Sequence, residues 1–156
     1  MTIESLERDL REGERLLLDT TSLIAYLDRG EAVSPLATHV IDHLVQSGRN
    51  PAIVSMVTVS ETLIRPLRIG VTPPYDHLLD FLTQFPNLRP ISIDLPVAQE
   101  AASLRATFRL SMADALIVAT GIVAQVHHLV TNDADWARKL QPISGRIRVC
   151  HLGHHL

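Results

Sequence analysis

The chain has one lysine, Lys139, against thirteen arginines, one cysteine, Cys150, and few aromatic residues (4%). A single cysteine excludes an internal disulfide framework and any metal site built from several thiolates. Long apolar runs are missing too: the longest, Ala115 to Val126, is broken by Thr120, Gly121 and Gln125 and is too short to span a bilayer. The first residues, MTIESLERDLREGERLLL, alternate charges and carry no signal-peptide core. A cytoplasmic protein that stays out of the membrane is expected. Its net charge of −3 argues against holding nucleic acid by bulk charge alone.

What is present is an ordinary apolar content. With 156 residues, 46% of them hydrophobic, the chain makes one domain that buries about 68–70% of its unfolded surface. No repeat or low-complexity segment interrupts it. Ile3, Leu6 and Leu10 share one face of a helix over Ile3 to Arg11, which Gly13 ends. The run from Arg15 to Asp19, RLLLD, suits a buried strand. A helix follows from Ser22 to Asp28, stopped by Gly30. Ser34 and Pro35 form an N-cap and first-turn pair for a helix through Val45.

Pro51 to Ser55 is the next strand, with a helix from Val57 to Leu67 and Pro66 close to its stop. Pro73 and Pro74 open a helix running to about Gln84. Ile91 and Ile93 mark a third strand, and Leu95 to Arg109 a helix with Pro96 in its first turn. A helix led by Ser111 comes next, then a fourth strand from His127 to Thr131. A short helix, Asp135 to Leu140, leads into a last strand, Arg146 to Cys150. Alternating helices and doubly apolar strands imply an α/β domain whose mainly parallel sheet is covered on both faces.

Four carboxylates sit where these elements turn over. Asp19 ends the first strand. Glu61 follows the second, at capping-box spacing from Thr58. Asp114 is three residues after Ser111, again at capping-box spacing, beside the positive end of a helix dipole. Asp133 ends the fourth strand, with Asp135 as a competitor for the same place. Each alone is explained by capping or turn formation. In a parallel sheet, however, the strand C-termini share one edge, where ligand sites of open α/β sheets lie.

Two carboxylates 4 Å apart repel by about 4 kcal/mol at an effective dielectric near 20, and helix dipoles recover only about 0.3–1 kcal/mol each. No spacing in the sequence puts a Lys or Arg beside these acids. A divalent cation would turn the repulsion into affinity, and all-oxygen ligands favour Mg²⁺ or Mn²⁺.

The segments LLLDTTSLIAYL, VSMVTVSETL, SMADALIVAT and LVTNDADW, in this order, resemble the four motifs of the PIN-domain family, in particular the small VapC-type ribonuclease toxins. The resemblance runs from about Arg15 to Leu152. It implies a three-layer α/β/α fold with a five-stranded parallel sheet over residues 15–156, preceded by an N-terminal helical extension, residues 1–14. It also implies a Mg²⁺-dependent endoribonuclease whose catalytic and metal-binding acids are Asp19, Glu61, Asp114 and Asp133. Asp19 and Asp114 are then the main metal ligands, completed by Glu61 and Asp133 directly or through water. Thr20, Thr21 or Ser22 supplies a hydroxyl near the first acid, and Thr131 one before the last. RNA is the implied substrate, with an antitoxin protein and a second copy of the chain as implied partners. An RNA-processing nuclease outside a toxin–antitoxin pair, or an inactive PIN-like binding module, is the alternative.

The remaining polar residues read more plainly. Arg65, Arg68, Arg105, Arg109, Arg138 and Lys139 are candidates for a basic rim or for solvated helix faces. Trp136 belongs with Leu140 in the core. His39 and His43, four apart, read as surface histidines. His127 and His128 pack or cap the start of a strand. His151, His154 and His155 fall in a frayed tail. A phosphoacceptor receiver is disfavoured because Lys139 follows no suitable strand. A haloacid-dehalogenase-type phosphatase would need an acid where Thr21 stands.

Overall fold

A computed structural model describes residues 2–70 and 72–156. Five strands, β1 (Leu16–Leu18), β2 (Ala52–Ser55), β3 (Leu88–Ile91), β4 (His128–Thr131) and β5 (Arg148–His151), form one sheet in the order β3-β2-β1-β4-β5. Every pairing is parallel, with Leu16 against both Ala52 and His128. The expected α/β architecture with a five-stranded parallel sheet is the one observed.

The helices are α1 (Ile3–Asp9), α2 (Thr20–Leu27), α3 (Ser34–Thr38), α4 (Met56–Ile69), α5 (Thr72–Gln84), α6 (Leu95–Thr107), α7 (Met112–Val123) and α8 (Asp135–Leu140). Strand periodicity sorts the core into two layers. Leu16, Leu18, Ala52, Val54, Val130 and Cys150 face one layer, with α2, α3 and α5. Leu17, Ile53, Leu129 and Val149 face the other, with α6, α7 and α8. Trp136 is buried in the second layer, as expected. Gly121 lets α7 lie close on the sheet, since a Cβ there would come 2.8 Å from a Leu17 methyl.

Several elements depart from the sequence expectation. The helix from Ser34 is capped at Val33 and gives way to a π-helical stretch, His39–Val45. Pro66 does not stop α4, which continues to Ile69 and ends on Gly70 at φ 75°, where a residue without Cβ is unstrained. The third strand spans Leu88–Ile91 and excludes the exposed Ile93. It is an edge strand, which tolerates Pro90.

The C-terminal residues do not fray. Leu152–His155 forms a 3₁₀ turn with Leu152 and His155 buried. His155 Nδ1 lies 2.9 Å from Ser5 Oγ, and its Nε2 3.3 Å from Asp9 Oδ2. The tail is therefore fastened to α1, whose Leu6 is fully buried, as is the adjoining Leu10, in the same core as β1. His39 is only partly exposed and meets Glu7 of α1 at 2.8 Å, while His43 faces solvent. His128 is buried at the foot of β4, 3.0 Å from Glu14, and the His127 ring accepts from the Arg15 amide. Cys150 is buried, and burial pushes its thiol up to about 12, so it stays protonated and unreactive. Among the described residues, no helix is long and apolar enough to cross a membrane.

Candidate functional site

Parallel strands deliver their C-terminal ends to one edge, and hydroxyl and carboxylate residues cap the helices that start there. Asp19 follows β1 and caps α2, accepting from the Ser22 amide at 2.9 Å. Ser55 caps α4 through the Val57 amide. Ser111 caps α7 through the Asp114 amide at 3.1 Å. The capping reading of Ser111 and Asp114 thus holds, whereas that of Thr58 and Glu61 does not. Helix α4 starts at Met56, so Glu61 lies beyond its first turn.

Asp19 is the most deeply buried of the four acids. Its side chain is 2% exposed, yet among the described residues no Arg, Lys or His forms an ion pair with it. It is held by neutral donors alone: Thr131 Oγ1 at 2.6 Å, Thr21 Oγ1 at 2.9 Å and the Ser22 amide. Burial raises its pKa, and those donors oppose the rise by stabilising the anion.

The hydroxyls that hold this carboxylate also hold the backbone of the turn that carries Asp133. Thr131 Oγ1 accepts from the Asp133 amide at 2.9 Å, and Thr21 Oγ1 from the Asn132 amide at 2.8 Å, fixing the turn after β4 against α2. The Asp133 carboxylate accepts from the Asp135 amide at 2.9 Å. Asp135 itself is exposed and pairs with Arg138 at 3.6 Å. On the other side Thr20, next to Asp19, donates to Glu61 Oε1 at 2.8 Å. All the hydroxyls singled out in the sequence are engaged: Thr20 with Glu61, Thr21 with the Asp19 carboxylate, Ser22 with the Asp19 carbonyl, and Thr131 with the Asp19 carboxylate.

Asp114 differs. Brought to the edge by α7, it is bonded through Oδ2 to Lys139 Nζ at 3.1 Å. Sequence spacing gave no sign of a cation beside any of the four acids, and the structure corrects this: Asp114 and Lys139 come from different helices. Bonds from Thr20, Thr21 and Thr131 thus tie Glu61, Asp19 and the turn carrying Asp133 to the C-terminal ends of β1 and β4, while Asp114 is held by Lys139. Among the described residues, however, no three His, Cys, Asp or Glu side chains are gathered closely enough to share a metal ion.

Beside Glu61 an apolar groove of about 420 Å³ opens between α2, α4 and α5, lined by Ile24, Leu27, Arg65, Ile69 and Leu78 among others. Arg65 thus stands next to Glu61 on the rim of that groove, and Arg68 is exposed beyond it on α4.

Comparison with known proteins bears on the fold. Comparison with curated proteins gives no match. Among solved structures, the chain is similar to a toxin–antitoxin complex from Klebsiella pneumoniae, with 20% identity, 88% of this chain and 97% of that one covered, and a TM-score of 0.64. VapBC2 from Rickettsia felis, bound to a DNA fragment from its promoter, gives 15% identity, 88% and 98% coverage, and a TM-score of 0.68. VapC20 of Mycobacterium tuberculosis, a Sarcin-Ricin loop cleaving toxin, gives 16% identity, 86% and 98% coverage, and a TM-score of 0.62. Such identities establish a shared fold. Residues 16–140 match the PIN domain family, a span that holds all four acids, and the chain belongs to that family.

Proposed function

We propose that the protein is a Mg²⁺-dependent endoribonuclease, the toxin of a type II toxin–antitoxin pair. The observation that carries this reading is Asp19: a carboxylate almost wholly removed from water, at the strand C-termini of a parallel sheet, with neutral donors and, among the described residues, no counter-ion. A buried carboxylate held only by neutral donors is costly to ionise, and a cation bound beside it would offset that cost. The donors around it are all oxygen, from Asp, Glu and Thr, which fits a hard divalent ion. Because no three of the described acids stand close enough to share an ion, Asp19 and Asp114 would have to close on it, with Glu61 and Asp133 completing the set. When bound, such an ion acidifies water and neutralises charge developing on a phosphodiester.

The protein's own residues do the rest. Thr131 and Thr21 hold the Asp19 carboxylate in one orientation. Thr20 holds Glu61 at the same mouth. Arg65 and Arg68 supply positive charge for the phosphates on either side of the cleaved bond. The groove beside Glu61 suits an apolar antitoxin segment, whose seating there would cover the acid. The neighbours described as toxin–antitoxin complexes and as a toxin that cleaves the Sarcin-Ricin loop support the pairing and the RNA substrate. Exposed apolar residues at the starts of α6 and α7, Leu95 and Met112, suit contact with a second copy.

The test is cleavage of a structured RNA by the purified protein. Cleavage should need Mg²⁺, stop with EDTA, and fall by about two orders of magnitude or more in Asp19→Asn, as loss of a principal charge-stabilising group does. Cleavage that survives both EDTA and the substitution would overturn the proposal.

A further inference from the structure

Resting on the nuclease reading and deepening it, we infer that Lys139 is an internal counter-ion for Asp114, which an incoming divalent cation must displace, so that Lys139 sets the metal concentration at which the site fills. Three observations carry this. Lys139 Nζ lies 3.1 Å from Asp114 Oδ2, with both side chains about three-quarters buried, at 26% and 25% exposure. Among the described residues, Asp114 is the one acid of the four with an ion-pair partner. The ammonium also stands 5.2 Å from the centre of the Trp136 ring, within range of a cation–π attraction.

This is a built contact rather than a passing one. Trp136 is buried in the core, so the ring beside the ammonium is a fixed neighbour. Lys139 lies in the last turn of α8, where a positive charge is favoured by the helix dipole. Asp114 stands in the first turn of α7, where a negative one is. The ammonium therefore neutralises Asp114 while no metal is bound. A cation that takes Asp114 must break this pair and accept Lys139 as a positive neighbour. Both effects weaken metal binding, and both vanish with the lysine.

Two variants test it: Lys139→Met, which keeps the apolar stem, and Lys139→Gln, which also keeps a donor. Free Mn²⁺ is followed by electron paramagnetic resonance during titration of wild type, both variants and Lys139→Arg. The neutral variants should bind Mn²⁺ about fivefold more tightly, the size expected for loss of a partly exposed ion pair. Lys139→Arg should stay near wild type. Metal-free melting temperatures should fall in the neutral variants and recover with Mn²⁺. Should the folded neutral variants bind Mn²⁺ no tighter than wild type, the counter-ion role is overturned while the nuclease reading stands. Should wild type and the neutral variants all fail to bind Mn²⁺, both fall.

Discussion

Thr131 Oγ1 lies 2.6 Å from Asp19 Oδ2 and accepts the Asp133 amide at 2.9 Å, so one hydroxyl joins the ends of two neighbouring strands. Asp19 needs such donors because, among the described residues, no cationic side chain pairs with it. The same hydroxyl fixes the turn that carries Asp133. Replacement by valine keeps the shape and removes both bonds. Thr131→Val should destabilise the protein by about 1–3 kcal/mol, the cost of leaving buried polar groups unpartnered, and should lower RNA cleavage as well. Chemical denaturation measures the first effect. A midpoint unchanged from wild type would mean that the hydroxyl is dispensable.

Asp19 gives a pH signature in the absence of metal. Burial raises its pKa in the folded state, so there the native protein holds a proton that the unfolded chain has already released. Stability then falls as pH rises from the ordinary value of 3.8 through the raised one, and the loss is complete above it. Asp19→Asn lacks this term while keeping an N-cap side chain. The variant should melt at or above the wild-type temperature at pH 7, with a gap that narrows as pH falls towards 4. A gap that stays constant, or reverses, would contradict the assignment of an uncompensated buried charge.

The clasp between the C-terminal turn and α1 has the opposite slope. Burial lowers the His155 pKa below 6.5, with Asp9 opposing. The native state therefore binds fewer protons than the unfolded chain just below pH 6.5. Its stability is fully present above that value and is lost as pH falls through the lowered native pKa. His155→Gln should remove this loss, so its stability relative to wild type should rise between pH 7.5 and pH 5. Melting curves across that range check it. Parallel pH profiles for the two proteins would show that His155 is not the titrating group.

The parts of the fold and site legible in the sequence were those written locally. RLLLD gives a buried strand followed by a capping acid, and Ser111 with Asp114 gives a helix start, because a cap needs only three neighbouring residues. Short apolar runs locate all five strands, and helical periodicity with cap and turn residues locates the α-helices. What escaped depends on packing between distant segments. The ion pair of Asp114 with Lys139 joins two helices 25 residues apart, and no spacing rule covers that. The anchored tail depends on Ser5 and Asp9 meeting His155 across almost the whole chain. The true limits of β3 were set by pairing with β2, Leu88 opposite Ala52, against the local alternation of Ile91 and Ile93. Pro66 misled for a related reason: packing of α4 against its neighbours outweighs the lost backbone bond.

Anomalous scattering from crystals soaked in Mn²⁺ tests the proposed shared cation site most directly. A peak should lie within ligand distance of Asp19 and Asp114, with Lys139 withdrawn from Asp114. Full occupancy elsewhere on the surface, with Asp19 still bonded only to Thr131, Thr21 and Ser22, would contradict it.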